Sequence, residues 1–207
     1  MAARAGREPD GRPAAVAGIL LAAGQGSRLG QPKAQLRLGG ASLASRGVRL
    51  LGDGGAAPVI VVTGAVAVDA PGVIVVHNPL WRTGMGSSLA AGLATVPDAC
   101  GAAVIALADQ PLVGSAAVAR LIGAFLDGAT VAVAAYQGRR RNPVLLAREH
   151  WAEVTALATG DEGARPFLRA HQELVTAVEC GDTGRPDDLD TPADLERLAA
   201  ELADDQG

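Results

Sequence analysis

A chain of 207 residues, 49% of them hydrophobic, is most simply one α/β domain, long enough to bury a sheet between helical layers. Aromatic residues are only 2% of the chain, which excludes the ring platforms that stack single-stranded nucleic acid, and a net charge of −4 offers no general attraction for nucleic acid or anionic lipid. No run reaches the roughly 18 to 20 apolar residues of a membrane span, and Met1 to Pro13 lacks the apolar core of a signal peptide. Residues 1–14 are therefore expected to be a disordered tail, residues 15–204 a single folded domain, and the protein cytoplasmic. Cys100 and Cys180 lie far apart and show neither a zinc spacing nor a disulfide framework.

Val16 to Ala22 is continuously apolar, the pattern of a central parallel strand buried on both faces. It runs into Leu20 to Lys33, L-L-A-A-G-Q-G-S-R-L-G-Q-P-K, where Gly24, Gly26 and Gly30 interleave with Arg28 and Lys33. Glycines let backbone N–H groups turn toward an anion, and two full positive charges beside them suit a triphosphate. Arg28 supplies a planar fork and Lys33 a mobile point charge. The glycine spacing also resembles the start of a dinucleotide fingerprint, but the next strand, Val59 to Thr63, ends in Thr63-Gly64 without the acid that would read a ribose.

Ala34 to Leu38 alternates as a short strand would and stops at Gly39-Gly40, after which Ser42 caps a helix to about Leu51. Val59 to Thr63 and Val73 to His77 are strands, with Gly64 to Pro71 a turn between them. Asn78 to Leu93 reads as a glycine-serine turn and a small-residue helix beginning near Ser87 and Ser88, whose hydroxyls can cap it or bond a ligand at its amino end. Trp81, in that turn, is expected to pack rather than to stack on a base.

Ala102 to Ala108 is another apolar strand, ending in Ala108-Asp109-Gln110-Pro111. A carboxylate at the carboxyl end of a central parallel strand lies in the crevice where open α/β sheets bind ligands, so Asp109 is the best single candidate for a metal ligand. Ser115 to Phe125 forms a helix and Thr130 to Tyr136 a strand, followed by a basic turn, Gln137 to Pro143, before the apolar Val144 to Ala147. Arg139, Arg140 and Arg141 in that turn are either a solvated loop or contacts for the anionic end of a second substrate.

Arg148 to Leu157 and a short segment after Gly160 to Arg165 are helical, and Leu174 to Glu179 is the last strand. Thr191 as N-cap, Pro192 at the first helical position and Asp194 in the capping-box place define a final helix. Asp190 falls just outside its amino end, where the helix dipole favours a carboxylate, and Asp188 is a weaker second candidate. His77, His150 and His171 form no catalytic or metal-binding spacing and are read as structural or exposed.

Four strings taken together resemble the MobA-like nucleotidyltransferases that act on molybdenum cofactor: LAAGQGSRLGQPK, Ala108 to Pro111, Gly160 to Arg165 and Asp188 to Pro192. The Ala-Ala-Gly form is closer to the cytidylyltransferase branch, and the resemblance extends from about Ala17 to Leu198. It implies a three-layer Rossmann-like α/β fold with a mostly parallel sheet, and CTP and molybdopterin-bound molybdenum as substrates. Catalytic roles fall to Arg28, Lys33 and Asp109, with Mg²⁺ held by Asp109 and Asp190. Nucleotide contacts are implied at Leu21, Ala22, Ala23, Gly24, Gly26, Ser27, Arg28 and Lys33, and base or ribose contacts at Gly84, Ser87 and Ser88. A molybdenum hydroxylase is the implied recipient of the product. Asn142-Pro143 departs from the family loop, which more often has His or Gly before Pro, and leaves the acceptor open. A sugar 1-phosphate acceptor, an NAD(P)H-dependent oxidoreductase on the same scaffold and a non-catalytic molybdenum cofactor carrier are the alternatives.

Overall fold

The computed structural model of the protein describes residues 15–26, 29–66, 68 and 71–204; the expected tail at residues 1–14 lies outside them. In the first third of the chain, β1 (Ala15–Leu21) is followed by two short strands, β2 (Arg37–Leu38) and β3 (Ala41–Ser42), then α1 (Leu43–Asp53), β4 (Val59–Thr63) and β5 (Ile74–His77). The middle third holds α2 (Met85–Thr95), β6 (Cys100–Leu107), α3 (Ser115–Leu126) and β7 (Val131–Tyr136). The last third carries β8 (Arg139–Ala147), α4 (Trp151–Leu157), α5 (Arg165–Ala170), β9 (Val175–Glu179) and α6 (Pro192–Asp204).

Seven of the described strands form one sheet in the order β5-β4-β1-β6-β8-β7-β9, in which β8 alone runs against its neighbours. The period-two geometry of β1 divides its side chains between two cores. Val16 and Leu20 face α1 and α3 through Leu51, Val118, Leu121 and Phe125. Ala17, Ile19 and Leu21 face α2, α4 and α5 through Leu89, Leu93, Val154 and Phe167. The result is the expected three-layer α/β fold with a mostly parallel sheet, and both faces of the sheet are covered, which is why its strands read as unbroken apolar runs. No described helix is long and apolar enough to cross a membrane.

Topology positions the site. From β1 the chain adds β4 and β5 on one side and then returns to place β6 on the other, so a crevice opens where the carboxyl ends of β1 and β6 lie side by side. The loops that leave those two strands are the glycine-rich segment and the segment of Asp109.

Local readings differ from the sequence expectation in three places. Ala34 to Leu38 is not one strand: Lys33–Gln35 is a turn of 3₁₀ helix, and only Arg37 and Leu38 pair with Ala41 and Ser42. Burial explains the alternation, since Ala34, Leu36 and Leu38 are all buried although the backbone is coiled. The basic segment before Val144 is not a turn. The turn is Gln137-Gly138, with φ of 53° and 73°, the left-handed pair that joins twisted antiparallel strands, so Arg139 to Arg141 already belong to β8. The α2 helix begins at Met85, two residues before Ser87, with Gly84 in the capping position and no side-chain cap. Ser42, by contrast, does cap α1, accepting from the Ser45 N–H at 3.1 Å.

Tyr136, the chain's one tyrosine, is 7% exposed at the end of β7. Burial, reinforced by Cys180, pushes its phenol up to about 12. An unfolded tyrosine ionises near 10, so the stability contributed by this burial should be intact below about pH 10 and lost as the pH rises toward 12. Phenolate absorbance of the native protein should therefore rise with a midpoint near 12 or together with unfolding; a reversible midpoint near 10 would contradict the burial.

Candidate active site

Lys33 stands at the start of the 3₁₀ turn that ends the glycine-rich loop, and its ammonium lies between two carboxylates from distant parts of the chain. It donates to Asp109 Oδ2 at 2.8 Å and to Asp190 Oδ1 at 2.5 Å. All three side chains are partly exposed, at 18%, 26% and 44%, so the cluster borders a cavity rather than lying in the core. Burial works against the Lys33 charge, but the charge and hydrogen bond of Asp109, joined by those of Asp190, more than offset it and hold the ammonium above its ordinary range.

Asp190 is brought to the site by tethers on either side of it. Leu189 is fully buried among Leu36, Leu38, Leu43 and Leu198, and its N–H donates to the Asp109 carbonyl at 2.8 Å. Gln110 Nε2 donates to Asp188 Oδ1 at 2.8 Å. After Asp190, Thr191 and Asp194 exchange hydrogen bonds as a capping box, with Thr191 N to Asp194 Oδ2 at 2.9 Å and Asp194 N to Thr191 Oγ1 at 3.2 Å. The Asp190 N–H also turns back to Asp194 Oδ2 at 3.2 Å.

The cavity at this cluster has a volume of about 150 Å³. Leu21, Ala22, Ala23 and Gly24 from the end of β1, together with Lys33, Gly84, Ser88 and Asp109, line it as the sequence reading expects, and Trp81, Met85, Leu107 and Asp161 complete it. Gly26 holds the loop at φ 63°, and a side chain there would meet the Gln31 carbonyl at 2.2 Å. Ser27 and Arg28 lie outside the described residues.

Gly84 has φ 116° and packs so closely on Gly160 that a Cβ would come within 2.2 Å of its backbone. Ser87 and Ser88 are organised by Asn78, which is 3% exposed, rather than by the helix end. Asn78 Nδ2 donates to Ser87 Oγ at 2.8 Å and to Ser88 Oγ at 3.1 Å, while its Oδ1 accepts from Leu80 N at 2.9 Å. Ser88 lines the cavity and Ser87 does not; Ser87 Oγ donates to the carbonyls of Leu80 and Gly84. Trp81 packs on Gly64, as expected, but also forms part of the cavity wall. In the sequence Asp161 reads as a helix start inside Gly160 to Arg165, one of the strings that carry the family resemblance. It reaches the amino end of α2, where its Oδ1 accepts from Met85 N at 3.3 Å.

Among the described residues, no three His, Cys, Asp or Glu side chains are grouped to hold a metal. Asp109 on the cavity wall and Asp190 across Lys33 from it nevertheless fit Mg²⁺, which is usually held by one or two carboxylates with substrate phosphates and water completing its shell.

A family model described as the MobA-like NTP transferase domain matches residues 18–175. The chain belongs to this family. It is accordingly a nucleotidyltransferase related to those of molybdenum cofactor. The nicotine blue oxidoreductase of Paenarthrobacter nicotinovorans is 34% identical over 199 residues, covering 88% of this chain and 96% of that one. A probable molybdenum cofactor guanylyltransferase of Opitutus terrae is 52% identical over 48 residues, 23% of this chain and 24% of that one. Among solved structures, Rv0371c of Mycobacterium tuberculosis in complex with manganese superposes with a TM-score of 0.70 at 25% identity, covering 90% of this chain and 98% of that one.

Asn78 holds one wall of the MobA-like site through three hydrogen bonds. Asn78→Ala should lower unfolding free energy by about 1 to 3 kcal/mol, because buried partners are left unpaired. Urea denaturation measures this, and an unchanged midpoint would show that the serines do not depend on Asn78.

Proposed function

We propose that this protein transfers CMP from CTP to the terminal phosphate of molybdenum cofactor, forming the cytosine dinucleotide and releasing pyrophosphate. The observation that carries the reading is that Lys33 and Asp109 line the cavity bordered by the β1 loop, with Asp190 held on Lys33 from its other side. Family membership supports nucleotidyl transfer, and the local identity to a molybdenum cofactor guanylyltransferase supports the acceptor. The Ala22-Ala23-Gly24 form of the loop supports cytidine over guanosine. Both cysteines are free and buried, in keeping with a reducing cytoplasm.

In this reading an acceptor phosphate oxygen forms a bond to the α-phosphorus of CTP, the bond from that phosphorus to the bridging oxygen breaks, and pyrophosphate leaves with the electron pair. Both reactants are polyanions, so the protein's task is to bring negative charges together and to neutralise the leaving group. Lys33, with Arg28, holds the triphosphate and then the pyrophosphate. Leu21 to Gly26 approach the nucleotide through backbone, and Gly84 and Ser88 border its base or ribose, with Ser87 behind them. Asp109 and Asp190 would hold Mg²⁺, which when bound would offset negative charge on the phosphates. The manganese complex of Rv0371c is in keeping with a divalent ion at this kind of site.

Lys33 and a metal ion would want the same two carboxylates. With Lys33 between them, the site holds a cation of its own, and Lys33 would give up these carboxylates for the phosphates when a metal ion is held there. Mn²⁺ should therefore bind Lys33→Gln at least about tenfold more tightly than it binds the unaltered protein without nucleotide, since one positive charge is removed from the first shell of contacts. Electron paramagnetic resonance of free Mn²⁺ measures this, and equal affinities would refute the exchange.

A second reading is favoured by one observation, the oxidoreductase name of the full-length relative at 34% identity. Incubating the protein with CTP, GTP or UTP and either molybdenum cofactor or a sugar 1-phosphate, and following pyrophosphate, separates the readings. CTP with molybdenum cofactor is the pair expected to react, and Lys33→Ala and Asp109→Ala should each slow it by about 10² or more while the thermal transition stays close to that of the unaltered protein. Tight NADPH binding with no pyrophosphate from any pair would point to the oxidoreductase, and cofactor binding with neither would point to a carrier.

A further inference from the structure

Charge in the small cavity is unevenly placed. The Lys33 ammonium, from the loop after β1, is held by Asp109 and Asp190. Asp161, from the turn between α4 and α5, lines the same cavity as a carboxylate with no cation beside it among the described residues.

Backbone packing fixes where that carboxylate stands. Gly84 lies so close to Gly160, and Gly86 to Ala158, that a Cβ on either would meet main-chain atoms at 2.2 Å and 2.5 Å. The segment after α4 is thereby seated against the first turn of α2, and Asp161 Oδ1 accepts from Met85 N at 3.3 Å. Its Oδ2 has no partner among the described residues.

The amino end of α2 favours an anion and already holds one, so the phosphates of a nucleotide are left to Lys33 and the base to the α2 wall. A carboxylate only accepts hydrogen bonds. It suits a base edge that presents an amine and repels one that presents a carbonyl oxygen at the same place, and among pyrimidines that is the difference between cytosine and uracil. Ser88 stands one helical turn further along α2, 3% exposed and on the wall of the same cavity. Its Oγ accepts from Asn78 at 3.1 Å, which leaves the hydroxyl proton to donate. An acceptor and a donor one turn, roughly 5 Å, apart match the mixed donor and acceptor edge of cytosine.

We propose that Asp161 is the specificity-determining residue of the nucleotide cavity, accepting from the exocyclic amine of the base and turning away a carbonyl oxygen in its place. The inference rests on nucleotide binding between Lys33 and α2, as the transfer reading requires, and the experiment separates the two. In calorimetric titrations of the full chain with Mg²⁺ and no acceptor, CTP should bind at least about tenfold more tightly than UTP. Asp161→Asn keeps an oxygen for Met85 N but turns an amide N–H toward the base, so it should weaken CTP about tenfold and tighten UTP, bringing the two within about threefold of each other. Asp161→Ala should weaken CTP by a similar factor without weakening UTP. Thermal melting checks that both variants keep the fold, and the oxygen retained in Asp161→Asn preserves the bond to α2. Equal affinities in the unaltered protein, an unchanged ratio in Asp161→Asn, or binding of neither nucleotide overturns the proposal. If the ratio depends on Asp161 but no acceptor gives pyrophosphate, the transfer reading fails and the reading of the base stands. If CTP gives pyrophosphate and the ratio ignores Asp161, transfer stands and this inference fails.

Discussion

The site depends on one cation held between two carboxylates. Asp109 and Asp190 repel each other, and Lys33 is what allows them to sit within a few ångströms of one point. The arrangement joins three remote parts of the chain: the loop after β1, the end of β6 and the approach to α6. Its energetic value to the fold is modest because all three groups are partly exposed to water.

Around that point the molecule divides its space by chemistry. The small cavity draws on backbone and small side chains, among them Ala22, Ala23, Gly24 and Gly84. A larger cavity adjoins it, with an apolar sheet floor and a guanidinium rim. Leu107 stands between them at the carboxyl end of β6, where the topology of the sheet already opens a crevice.

The likeness to an oxidoreductase over nearly the full chain is instructive about what a fold can decide. The scaffold supplies a crevice, a glycine-rich loop and the placement of strand-end carboxylates. Which reaction results is set by side chains at the crevice, and here Lys33 between two aspartates suits charge neutralisation on phosphates better than hydride transfer.

Much of this was determined by the sequence alone, and the reason is local. Strands buried on both faces must be apolar throughout, so β1, β4, β6 and β7 are visible as runs. The capping box at Thr191 and Asp194 is legible because its partners lie three residues apart. Lys33, Asp109 and Asp190 could be named from strand-end position, a helix start and family likeness. Tertiary structure alone decided the rest. Burial at Ala34 and Leu36 imitated a strand in a coiled segment, and Asn78 claimed the two serines that the sequence assigns to a helix start. Asp161 reached its cavity through packing of α2 against the segment after α4, a contact no spacing predicts. Periodicity reports which face of an element is buried; it carries no information about which distant element does the burying.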